Sequence, residues 1–146
     1  MNIQRHLSDY VKGWRLQSGT PVIIRPIHPQ DQKRLVAFHQ TLSERSVYLR
    51  YAGTLPLSQR IKRAPISRLC SIEYGREMAL VAEKDGTELL ATEIIAVGAL
   101  NLLPGTRDGE YSMLVTDRYQ HQGLGTEMSR RLIDVALDWN LERIVA

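Results

Sequence analysis

The stretch from Glu110 to Asn140 constrains the fold of this chain more than any other. Glu110–Val115, E-Y-S-M-L-V, predicts a strand, and Gly123–Asn140 predicts a long amphipathic helix. Leu124, Met128, Leu132, Val135, Ala136 and Trp139 recur at helical spacing along one face. Glu127, Arg130, Arg131, Asp134 and Asp138 fall on the opposite face, with Glu127–Arg131 and Arg130–Asp134 as i,i+4 pairs. Asn140 stands where a left-handed cap would end the helix. Core packing alone accounts for the apolar stripe, so a functional role is assigned only to the first turn.

Between strand and helix lies a short turn holding Gly123 and Gly125. A strand that feeds a glycine-containing turn and then a helix makes an anion site. The first N–H groups of the helix point outward, and its dipole favours negative charge there. Neither glycine carries a Cβ that would keep a bulky anion from the backbone. Two anion loops are excluded by the residues themselves. Met128 stands where a dinucleotide fingerprint would place a third small residue, and no Lys-Ser/Thr follows as in a nucleoside-triphosphate loop. The spacing Gln120-x-x-Gly123-x-Gly125, in its strand–helix context, resembles the coenzyme A pyrophosphate loop of the GNAT superfamily of N-acetyltransferases.

With 146 residues, 43% of them hydrophobic and 24% charged, the chain is long enough for one domain with its own core. A net charge of +3 and a pI near 9.2 suit an anionic cofactor without demanding nucleic acid. Cys70 is the single cysteine, which excludes an internal disulfide, argues against a cysteine zinc site and suggests a reducing compartment. Polar residues at the start of the chain and the lack of a long apolar run point to a cytoplasmic protein.

Taken in order, residues 1–20 read as a leader, either a linker or a short docking segment, because Gly13, Ser18 and Gly19 break any long element. Pro21–Ile27 predicts the first strand, ending or lying on an edge at Pro26. Pro29-Gln30-Asp31 opens a helix carrying Leu35, Val36, Phe38, His39 and Leu42. Ser43–Leu55 predicts a second helix capped by Ser43. Ser58–Ile72 predicts a third, whose Arg60, Lys62, Arg63 and Arg68 fit a solvated face better than a nucleic-acid surface. Glu77–Lys84 and Leu89–Leu103 read as strands joined at Asp85-Gly86, with Gly98 as a bulge candidate. Arg143–Ala146 begins a last strand.

The order of elements resembles the front of the GNAT fold, an α/β (α+β) architecture with a mostly antiparallel sheet flanked by helices, over residues 21–146. V-I-I-R-P-I-H-P-Q-D (Val22–Asp31), S-V-Y-L-R-Y (Ser46–Tyr51) and Y-G-R-E-M-A-L-V-A (Tyr74–Ala82) resemble the acetyltransferase domains of bacterial protein lysine acetyltransferases. That resemblance implies transfer of acetyl from acetyl-CoA to a primary amine, a protein lysine above all, by direct attack in a ternary complex and without a metal. It implies that Gln120 and the backbone of Gln122, Gly123, Leu124, Gly125 and Thr126 hold the cofactor. It also implies that Met113, Leu114 and Val115 pair with its pantetheine arm, and that Glu110 is the general base. A lysine amine is cationic near neutral pH and must lose a proton before attacking.

In the superfamily a further helix and a hairpin follow the strand that begins at Arg143. They are expected to carry the general acid, commonly a tyrosine, so no residue up to Ala146 is assigned that role. An edge left uncovered there is expected to self-associate or fray, with weak acetyl transfer. A non-catalytic CoA-binding regulatory module is the competing expectation from another class. An acetyl-cysteine route through Cys70 is disfavoured, since nothing beside it in the sequence lowers a thiol pKa.

Overall fold

The computed structural model describes residues 7–51, 76–85 and 92–146, with backbone alone at 7 and 48–51. Its strands are β1 (Lys12–Arg15), β2 (Pro21–Pro26), β3 (Glu77–Asp85), β4 (Thr92–Leu102), β5 (Asp108–Val115) and β6 (Arg143–Val145). Helix α1 spans Gln32–Gln40, α2 Glu44–Tyr51 and α3 Leu124–Asp138. The strands form one six-stranded sheet in chain order. Each pair from β1 to β5 is antiparallel, and β6 joins β5 in parallel. A parallel pair needs a long crossover, and α3 supplies it.

The stretch expected to be a leader is partly built into the sheet: β1 pairs with β2, Lys12 opposite Ile24 and Arg15 opposite Pro21. Pro26 takes the last ladder position of β2, where its missing N–H costs least. Gly98 is not a bulge. It pairs in regular register with Leu80 and Met113, and the irregularity falls at Ala82/Glu83 instead. A Cβ on Gly98 would come within 2.6 Å of the Met113 methyl and 3.0 Å of Leu132, so close packing is what requires glycine. The third helix expected over 58–72, with Arg60, Lys62, Arg63, Arg68 and Cys70, and the turn at Gly86 lie outside the described residues.

Helices cover both faces of the sheet. Leu124, Met128, Leu132 and Val135 of α3 pack on Ile24, Leu80, Ala82 and Leu100, all buried. Each such side chain contributes about 2 kcal/mol through removal from water. Leu35 and Phe38 of α1 pack on Val81, Val97 and Ala99 on the other face. At the end of α3, Asn140 has φ 57°, its N–H donates to Leu137, and the Leu141 N–H donates to Ala136. This is the left-handed cap expected there. Glu127 and Arg131 pair at 3.2 Å as the spacing predicts, but Arg130 turns to Glu127 at 3.0 Å rather than to Asp134.

Ahead of α1, the Asp31 carboxylate accepts from the His28 N–H at 2.7 Å and from both terminal nitrogens of Arg25 at 2.7 and 2.9 Å. Arg25 also donates to Glu83 on β3. Burial pushes the Asp31 pKa up, but the bonds from Arg25 and His28 outweigh it and hold the carboxyl below its usual range. Arg25 lowers Glu83 in the same way. A cavity of about 320 Å³ opens beside this cluster. Its charges are already matched within the fold, which makes it a joint between β2, β3 and α1.

Candidate active site

Strand parity orders the site. Tyr111, Met113 and Val115 of β5 pack with α3, while Leu114 packs with the α1 side. Alternation therefore sets Glu110 and Ser112 on the same face as Leu114, opposite α3. The Tyr111 and Ser129 hydroxyls bond to each other, tying β5 to the helix. Thr116 donates its N–H inward to Ile95 of β4. By the same parity the backbone groups of Met113 and Val115 face the outer edge.

That outer edge is paired only in part. β6 runs beside Asp108, Gly109 and Glu110, the last opposite Val145. From Tyr111 to Val115 no strand occupies it among the described residues. A groove of about 360 Å³ lies there, lined by Tyr111–Val115 together with Ser46, Gln120 and Ala146. Exposed Glu110 stands at the end of the paired stretch, four residues and about 13 Å along the strand from Leu114.

After β5 the chain makes a single helical turn over Asp117–Tyr119 and then two left-handed residues, His121 at φ 62° and Gly123 at φ 84°. Histidine tolerates this conformation better than a branched residue would, and at Gly123 the absent Cβ removes the penalty altogether. The turn is anchored at several points. Asp117 accepts from the Ser43 N–H at 3.1 Å and hydroxyl at 2.7 Å and from the Ser46 hydroxyl at 3.1 Å, so it closes the start of α2. Burial pushes its carboxyl up, and the bonds from Ser43 and Ser46 prevail and lower it. The Gln120 amide donates to the Val115 carbonyl at 2.9 Å and to Ser46 at 3.2 Å. The Gln122 carbonyl accepts from the Gln17 N–H at 3.2 Å.

The product of this geometry is a bare helix start. Among the described residues no side chain caps α3, and its first backbone bond runs from the Glu127 N–H to the Gly123 carbonyl at 3.0 Å. The N–H groups of Leu124, Gly125 and Thr126 have no partner within the helix, and the positive end of the helix dipole lies behind them. A Cβ at Gly125 would make only ordinary contact, 3.7 Å from Val115. At Gly123 it would approach the Trp14 indole at 3.3 Å.

The structure thus gathers Gln120, Gln122, Gly123, Leu124, Gly125 and Thr126 into one turn at the end of the open β5 edge that Met113 and Val115 present. Glu110 stands apart from them, beside the β5–β6 junction. Ser43 caps α2 as expected, accepting from the Ser46 N–H at 3.1 Å, but the sequence did not link Trp14, Ser43, Ser46 or Asp117 to the turn, because their partners lie far along the chain. Ser43 and Asp117, for example, are separated by 74 residues. No group of three or more metal-ligating side chains occurs among the described residues. No described helix is long and apolar enough to cross a membrane.

Comparisons with known proteins bear on the family and the fold. A family model described as Acetyltransferase (GNAT) family matches residues 36–146. A relative, Acetyltransferase PA5475 of Pseudomonas aeruginosa, is 32% identical over 125 residues, which are 83% of this chain. The chain spans 62% of that relative's length. Among solved structures, the GNAT domain of S. lividans PAT is similar with a TM-score of 0.74 at 20% identity, over 96% of this chain and 79% of that one. The PaiA N-acetyltransferase of Thermoplasma acidophilum in complex with coenzyme A is similar with a TM-score of 0.57 at 15% identity, over 82% and 74%. At these identities the solved structures speak for the fold.

Proposed function

This chain belongs to the GNAT acetyltransferase family, and from that premise we propose that it transfers acetyl from acetyl-CoA to a primary amine. The carrying observation is the bare start of α3 beyond left-handed Gly123, placed at the end of a strand whose outer edge is unpaired from Tyr111 to Val115 among the described residues. The cofactor's diphosphate sits on the N–H groups of Leu124, Gly125 and Thr126, with Gln122 and Gly123 shaping the turn. The pantetheine arm runs along the β5 edge and pairs with outward backbone groups of Met113 and Val115. Leu114 packs beneath it, and Gln120 braces the strand end. Strand backbone donors oriented toward the thioester carbonyl stabilise the oxyanion that forms when the amine attacks.

In this reading the two faces of the sheet divide the work. The diphosphate lies on the α3 side, and Glu110 faces the opposite side, from which the acceptor approaches. The Glu110 carboxylate takes the proton from the ammonium, directly or through a water, and the neutral amine then attacks the thioester carbon. Acetyl passes to nitrogen, the C–S bond breaks, and the departing thiolate of coenzyme A takes up the second proton that the acylated nitrogen sheds. A protein lysine is the acceptor we put forward, on the strength of S-V-Y-L-R-Y (Ser46–Tyr51) and Val22–Asp31. The resemblance carried by these segments covers the wall of the groove formed by Ser46.

The test is transfer from isotopically labelled acetyl-CoA to a panel of lysine peptides, polyamines and peptide N-termini, read by mass spectrometry alongside calorimetric binding of acetyl-CoA. Label on lysine peptides is the expected result. Saturable binding without transfer to any amine would identify a CoA-binding regulatory module instead. No binding would refute both.

A further inference from the structure

The segment that includes β1 runs the length of α3. The Tyr10 hydroxyl donates to Asp138 at 3.1 Å near the end of the helix. Arg131, near its middle, donates to the Lys12 carbonyl at 3.4 Å. The half-buried Trp14 indole lies 3.3 Å from where a Cβ of Gly123 would stand, and the Gln17 N–H holds the Gln122 carbonyl at 3.2 Å. Moving forward along this segment therefore means moving backward along the helix, from its last turn to the turn ahead of its first. Pairing with β2 and burial of Leu16 fix the segment in place.

We propose that this segment is a strap that sets the cofactor turn and that Trp14 is its positioning residue, a role resting on the diphosphate reading given above. The chemistry needs it. Left-handed His121 carries a backbone cost and Gly123 has many other conformations open to it, yet the turn's carbonyls and N–H groups must stay aimed while a charged ligand comes and goes. Trp14 sets the apolar rim of its six-membered ring against Gly123, on the side where a side chain would stand. Gln17 removes the rotational freedom of the preceding peptide by binding its carbonyl. Together they keep the N–H groups of Leu124–Thr126 converging on one point, so that ordering is complete before the ligand arrives. Trp14 itself touches no reacting atom.

The experiment compares Trp14→Ala, Trp14→Phe and, at the far end of the strap, Tyr10→Phe. Each is titrated with coenzyme A and assayed with acetyl-CoA and with acetyl-pantetheine, which has no diphosphate. Trp14→Ala should weaken coenzyme A about tenfold, the scale of misaligning one charge-assisted hydrogen bond, and leave turnover of acetyl-pantetheine unchanged. Trp14→Phe, which keeps an apolar ring, should recover much of the loss, and Tyr10→Phe should show none. Amide exchange without ligand should quicken at Gly123–Thr126 in Trp14→Ala. Equal loss with both thioesters would mean general destabilisation and overturn the strap, as would unchanged exchange. If the unaltered chain fails to bind coenzyme A, the diphosphate reading falls, and the exchange measurement alone still decides whether Trp14 orders the turn.

Discussion

The Gln120 side-chain amide donates to the Val115 carbonyl across 2.9 Å, on the edge of β5 that a pantetheine arm would pair with. The same nitrogen reaches Ser46 of α2 at 3.2 Å. Gln120 thus joins the end of the strand, the turn and a wall of the groove. A carbonyl has a second lone pair, so Val115 can accept from a ligand while Gln120 stays. Gln120→Ala is expected to loosen the turn and weaken acetyl-CoA about fivefold, in keeping with about 1 kcal/mol for one such bond. Ser46→Ala should cost less, since the Val115 bond survives. Calorimetry on both variants checks the order of the two losses; tighter binding by Gln120→Ala would show that the amide competes with the ligand.

The two glycines of the turn should respond differently. Gly123 has φ 84° and faces Trp14, so Gly123→Val combines a backbone penalty of about 1–2 kcal/mol with a steric clash, and acetyl-CoA binding should be lost from a chain that still folds. Gly125 lies within α3 with room for a methyl group, and Gly125→Ala should raise helix stability by up to about 1 kcal/mol. Any loss of affinity in the folded Gly125→Ala variant then reports the phosphates directly. Thermal melts paired with calorimetry separate the two effects. Normal acetyl-CoA affinity in Gly123→Val would remove the turn from the site.

Glu110→Gln should lower acetyl transfer by about 10²–10⁴, the usual contribution of a general base, with acetyl-CoA affinity preserved. The deficit should shrink as pH rises, because more of the amine is neutral without help. A loss that is constant with pH, or none, would exclude Glu110 from proton transfer.

Acid stability should follow the Arg25 cluster. Asp31 and Glu83 are both held below their ordinary values of 3.8 and 4.5. Depressed carboxylates contribute stability that is complete above those ordinary values and is lost as pH falls through the lower folded ones. The melting temperature should therefore hold down to about pH 5 and drop below about pH 4. Arg25→Met removes the two-pronged partner of buried Asp31, which keeps Arg34 at 3.1 Å and the His28 N–H, and should cost about 1.5–3 kcal/mol near neutral pH. It should also shift the acid decline upward, since Asp31 and Glu83 both lose the bonds from Arg25 that lower them. An unchanged acid profile in Arg25→Met would contradict the pairing.

What could be read from the sequence follows from the range of the interactions. Helix α3 was legible because its apolar stripe and its cap at Asn140 are encoded within a few turns. Gly123 was legible because its spacing from Gln120 and Gly125 is local. The brace around the turn was not. Trp14, Ser46 and Asp117 act on partners brought near only by the sheet, and nothing in their neighbourhood marks them. β1 was hidden by its brevity and by Gly13. Gly98 shows the same limit: a glycine within a strand signals either a bulge or a close approach. Only the positions of Met113 and Leu132 decide for the second.

The central claim is that the start of α3 receives the diphosphate of acetyl-CoA, and amide resonances report on it most directly. The isotopically labelled chain should be titrated with coenzyme A and followed at the N–H groups of Leu124, Gly125 and Thr126. The account predicts that these amides move most, saturate together at the calorimetric Kd and move little with pantetheine. Saturable binding that leaves all of them in place would contradict it.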